Sequence, residues 1–81
     1  MFNHLILYIM RLSKSKQYRV SAYTADRVFI TSRFGEFSTL KQCRLTANQL
    51  AREQRQMLGF FSVYCVNDDQ YAMYDYNGKR V

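Results

Sequence analysis

Leu45-Thr46-Ala47-Asn48-Gln49-Leu50, followed by a helical apolar spacing and then Gly59, decides the fold. Thr46 suits an N-cap and Gln49 stands three residues on, the spacing of a capping box. Leu45 and Leu50 occupy the two positions of a hydrophobic staple. Ala47, Leu50, Ala51, Gln54, Met57 and Leu58 then recur on one face, while Asn48, Arg52 and Arg55 point elsewhere. Gly59 falls where a left-handed residue closes a helix. The pattern predicts a helix over about 47–58.

On both sides of this helix the period changes to two. Downstream, 60–67 and 70–76 are rich in β-branched and aromatic residues, separated by Asn67-Asp68-Asp69-Gln70. A turn at Asp68-Asp69 pairs Val63 with Tyr74, Cys65 with Ala72 and Phe61 with Tyr76 beneath the helix. Ser62, Tyr64, Val66, Tyr71, Met73 and Asp75 then face away. Upstream, 18–23 and 27–31 read as a second hairpin around Thr24-Ala25-Asp26. A three-residue loop pairs Val20 with Ile30 and Ala22 with Val28, all inward. Arg19, Ser21, Tyr23, Arg27, Phe29, Thr31 and Arg33 become the outward set. The segment 33–44 adds a short strand at about 37–43 or stays a loop. The expected fold is α+β: an antiparallel sheet of four to five strands with one helix packed on one face, in the order β-β-(β)-α-β-β.

Eighty-one residues allow one small core, with 48% apolar and 22% charged residues, three glycines and no proline. Twelve Lys and Arg against six Asp and Glu give a formal charge of +6, and the whole excess lies in residues 1–44. There, eight basic groups oppose only Asp26 and Glu36; residues 45–81 are balanced. Such asymmetry points to an anionic partner or to a solubilising surface. Eight of the twelve bases are Arg, which suits forked recognition of carboxylate or phosphate.

Residues 1–12 form an apolar N-terminal segment ahead of a single domain at 13–81. The run Leu5–Met10 is far too short for a membrane span. No Lys or Arg precedes it and no small-residue cleavage site follows, so it does not read as an export signal. It reads as an element packed on the core, as an oligomer contact, or as an extension ahead of an internal start at Met10. The expectation is a cytoplasmic protein with free thiols at Cys43 and Cys65.

Little in the chain supports catalysis. His4 is the one histidine, Asp68 and Asp69 sit at a turn, and the cysteines lack metal-ligand spacing. No cofactor and no metal are expected. Binding has more to work with. Lys14 and Lys16 precede a face on which Arg19, Tyr23, Arg27, Phe29 and Arg33 alternate cation and ring. Tyr64 and Tyr71 extend that face across the second hairpin. Guanidinium groups neutralise phosphates and rings stack on bases; Tyr and Arg also anchor protein interfaces. An ordinary solvated sheet face is the plain alternative.

Leu45-Thr46-Ala47, Ala51, Gln54, Gly59-Phe60, the following strand pair and Asn77-Gly78-Lys79 together resemble the compact anti-CRISPR inhibitors of type I-F systems, over residues 45–79. The resemblance implies a non-enzymatic phage or mobile-element protein that blocks the DNA-binding groove of a host surveillance complex. Three functions therefore stand as expectations. The first is an inhibitor that binds a host protein complex. The second is a basic sheet-face module for DNA or RNA, and the third a small ribonuclease toxin. A homodimer through the N-terminal segment or the open sheet face is a further expectation.

Overall fold

A computed structural model describes residues 16–81; Lys14, His4 and the segment 1–12 lie outside the described residues. The elements run β1 (Tyr18–Tyr23), β2 (Phe29–Gly35), α1 (Leu40–Glu53), β3 (Phe60–Cys65) and β4 (Gln70–Asp75). All pairings are antiparallel and the sheet order is β2-β1-β3-β4. The two hairpins are thus joined through their first strands, and α1 carries the chain from the β2 edge back to the centre. The fold is α+β, with α1 packed against β1, β2 and β3. No helix among the described residues is long and apolar enough to cross a membrane.

Alternation sorts the residues of β1 and β3 cleanly. Tyr18, Val20 and Ala22 pair with Cys65, Val63 and Phe61, and all six are buried on the helix side. Leu40, Cys43, Ala47, Leu50 and Ala51 of α1 complete the core, with Ile30, Phe37, Leu58 and Tyr74 packed at its margin.

The helix begins and ends earlier than the sequence pattern predicts. Thr-x-x-Gln occurs twice, at Thr39–Gln42 and Thr46–Gln49, seven residues apart. Two helical turns separate them, so both read the same apolar stripe. The first start adds Leu40 and Cys43 to that stripe, and the fold uses it. Thr39 is the N-cap and its hydroxyl accepts from the Gln42 amide N–H at 3.2 Å. The Gln42 side chain accepts from the Ser38 N–H at 2.7 Å. The expected strand at 37–43 is therefore mostly helix. Thr46 lies mid-helix, and Leu45, expected as a staple, is exposed.

At the other end, Arg55 takes the left-handed position (φ 57). Its N–H bonds Arg52 O at 2.9 Å, and Gln56 N–H bonds Ala51 O at 2.9 Å, which is a Schellman closure. Gln54 and Met57 consequently leave the core face, and Met57 is 87% exposed. Gly59 serves another purpose. A Cβ there would stand 2.3 Å from Ala25 N in the β1–β2 loop. That close approach lets Gly59 N–H bond Tyr23 O at 2.8 Å and set the central strand register.

Both hairpin registers differ from the expected ones. Five residues, not three, link β1 to β2. Thr24 closes the loop, its hydroxyl accepting from the N–H groups of Asp26 and Val28 while Arg27 is left-handed (φ 63). The register moves by an odd number, so Arg33 and Thr31 pair with Val20 and Ala22 on the helix side, and Phe34 turns outward. An irregularity at Ala22/Tyr23 absorbs Ile30 and returns Phe29 to the outer face opposite Tyr23. In the second hairpin the four-residue turn 66–69 shifts the register by two, giving Val63↔Ala72 and Phe61↔Tyr74. The faces survive that even shift. Tyr76, expected beneath the helix, lies beyond β4 and is exposed. The tail then turns at Gly78 (φ 88) and returns along β4, with Val81 N–H bonding Met73 O at 3.0 Å.

Two predictions follow from the helix. Thr39→Ala removes a cap and should destabilise by ~1 kcal/mol, whereas Thr46→Ala should change stability by no more than ~0.5 kcal/mol in urea denaturation. The reverse order would return the helix start to Thr46. Burial pushes the Cys43 thiol from 9.0 up to about 12. Across that window the folded state keeps a proton that the unfolded state releases, so stability falls as pH rises. The urea midpoint should drop between pH 9 and 11. It should drop less steeply in Cys43→Ala, whose cavity penalty is independent of pH; parallel slopes would contradict the burial of the thiol.

Candidate binding face

The ladder pairs arrange the outer face in three rows across the sheet. Phe34, Arg19, Tyr64 and Tyr71 form the first, Ser32, Ser21, Ser62 and Met73 the second, and Phe29, Tyr23, Phe60 and Asp75 the third. Opposed residues on adjacent strands share a face and stand close enough for their side chains to touch.

Arg19 lies between two rings. Its guanidinium carbon is 5.0 Å from the Tyr64 ring centroid and 6.0 Å from that of Phe34. Arg27 reaches back from the loop to sit 4.6 Å from the Phe60 centroid. A planar, weakly hydrated guanidinium favours such stacking, which leaves its N–H edges turned toward solvent or a partner. Tyr23 and Phe29 meet edge-to-face at 5.8 Å.

The serine row between these ridges is covered by them: Ser21 and Ser62 are buried although they belong to the outer face. Tyr71, at the β4 end of the first row, has the Tyr23 and Ser62 hydroxyls among the groups that act on its phenol. Desolvation is the main cause that raises its phenol pKa, followed by the Tyr23 charge. The Tyr64 hydroxyl donates to Asp69 at 2.8 Å, and that bond raises its pKa. Phe34, Phe29 and Tyr71 remain 60%, 55% and 53% exposed, so the face presents its rings outward.

The structure therefore brings together Arg19, Tyr23, Arg27, Phe29, Tyr64 and Tyr71 among the residues that the sequence singles out. It separates two others. Arg33 stands on the helix side of β2, where its guanidinium meets Glu53 at 3.6 Å. The odd register shift put it there. Lys16 precedes β1 at one end of the sheet and is bound to Asp68, which raises the lysine pKa and lowers that of the aspartate. Phe34 and Phe60 were missed. Phe60 follows from strand alternation with Ser62 and Tyr64; Phe34 could be found only with the correct loop length.

Among the described residues no three His, Cys, Asp or Glu side chains converge on a point that could hold a metal. No family model, curated protein or solved structure matches the chain.

The placement of Arg33 has a direct test. Arg33→Ala should lower stability by at most ~1 kcal/mol, since its ion pair is half-exposed and monodentate. Denaturation together with a binding assay checks this: any binding through the outer face should be unchanged. A large loss of binding would return Arg33 to the site.

Proposed function

We propose that this protein is a non-enzymatic binding protein that docks on a protein partner through the outer face of its sheet. The observation that carries this reading is the composition of that face. Six rings (Tyr23, Phe29, Phe34, Phe60, Tyr64, Tyr71) and Met73 surround two guanidinium groups, each held on a ring. Aromatic residues, Met and Arg are enriched at protein interfaces, while Lys, Glu and Asp are depleted. Asp75, the one acid in the three rows, is half-buried and spends an oxygen on the Asn77 and Lys79 N–H groups of the tail turn.

Direct nucleic-acid binding on this face has less support. Its two guanidinium groups are each seated on a ring, and no carboxamide side chain stands in the three rows to read a base edge. The narrower reading, an inhibitor seated in the DNA-binding groove of a CRISPR surveillance complex, is a special case supported by the sequence resemblance over 45–79. Of its residues, Leu45-Thr46-Ala47 lie mid-helix.

Affinity capture with the wild type beside Arg19→Glu and Phe34→Ala tests the reading. All three should have the same circular dichroism, because both side chains lie outside the core. The wild type should retain a protein partner that each variant loses at least tenfold, the size of a hot-spot truncation. Presenting a purified type I-F complex in the same assay tests the narrower form. Equal retention by all three proteins, or retention of nucleic acid alone, would contradict docking through this face.

A further inference from the structure

The outer face accounts for only two of the cations, Arg19 and Arg27. Four more belong to the opposite side of the molecule, on α1 and its exit: Lys41, Arg44, Arg52 and Arg55. The one acid of α1, Glu53, is engaged with Arg33 and with Gln49. The helix flank is thus the more basic surface.

A groove of about 520 Å³ runs along that flank. Arg44, Asn48 and Arg52 form its wall at four-residue intervals, which sets the two guanidinium-bearing positions about 12 Å apart along the helix. Met57, Leu58 and the exposed ring of Tyr76 give it an apolar lining, and the Gln56 carboxamide stands beside them. The Schellman closure at Arg55 builds this lining, because it turns Met57 and Leu58 out of the helical path.

We infer that this groove binds single-stranded nucleic acid, at a site separate from the sheet face and independent of the function proposed for it. Arg44 and Arg52 pair with successive stretches of phosphate backbone. A splayed base enters between them, stacks on Tyr76 over the Met57–Leu58 floor, and meets the Asn48 and Gln56 carboxamides with its edge. Carboxamides carry both donor and acceptor and so match base edges. An apolar cavity with a ring and amides accepts an unstacked base; the bases of a duplex cannot enter it. RNA and DNA share this chemistry.

Fluorescence anisotropy at 50 mM salt with fluorescein-labelled rU12, dT12 and a 12-base-pair DNA duplex tests the inference. At least one single strand should bind tenfold or more tightly than the duplex, and the tighter strand identifies the source. Arg52→Glu and Tyr76→Ala, both at exposed positions, should each weaken that binding at least fivefold with unchanged circular dichroism. Arg52→Ala should reduce the log–log salt slope by about 0.7. Arg19→Glu should leave the affinity as it was. No single-strand binding, duplex binding of equal strength, or binding that is lost in Arg19→Glu and kept in Arg52→Glu would each overturn it. So would saturable binding of an acidic peptide to this groove without any of rU12 or dT12.

Discussion

The pairing of β1 with β3 is the constraint on which the rest of the structure depends. Arg19 and Tyr64 are 45 positions apart in the chain, yet their strands form the centre of the sheet. A side-chain period of two means this one register fixes both faces at once. Aligning Val20 with Val63 and Ala22 with Phe61 sends the apolar set toward α1. The same alignment puts Arg19 beside Tyr64 and Tyr23 beside Phe60 on the other side. Gly59 is part of that constraint, since any side chain there would drive the start of β3 away from the Thr24–Ala25 backbone.

Once the faces are fixed, the charge divides in an instructive way. The basic excess of the first half suggests a cationic sheet face, but β1 and β2 contribute only Arg19 and, through the loop, Arg27 to it. Arg33 is turned toward the helix, and Lys16 is bound at the sheet end. What the sheet presents is mainly aromatic, with guanidinium groups seated on rings. Lys41, Arg52 and Arg55 are exposed on the helix and its exit. A small domain can present two chemically different surfaces in this way, because a single helix layer separates one solvent side from the other. Protein docking and contact with an anionic polymer need not compete for the same residues.

Much of this was legible in the residues. Strand alternation in 18–23 and 60–65 identified both central strands and their faces, and the apolar spacing of Ala47, Leu50 and Ala51 identified the helix. The helix start was ambiguous for a physical reason: two Thr-x-x-Gln boxes lie seven residues apart on one stripe, and only the buried positions of Leu40 and Cys43 choose between them. Its end was misread because Arg55 takes a left-handed conformation that glycine usually fills. The outer face was legible on β1, β3 and β4 but not on β2. There the Thr24 hydroxyl stabilises a five-residue loop that lacks the usual glycine, and one odd step moves Arg33 in and Phe34 out. The helix-flank groove was not legible at all, because it needs the helix end and the return of the chain past β4 to bring Arg52 and Tyr76 to one cavity.

The stacking of Arg19 between Phe34 and Tyr64 reports the central register, the loop length of the first hairpin and the identity of the outer face together. Proton NMR of the protein reads it directly. The Arg19 δ-methylene protons should be shifted upfield by the two rings and should show cross-relaxation to ring protons of both Phe34 and Tyr64. Arg19 protons at unshifted positions, or with cross-relaxation to side chains of the helix, would contradict the account.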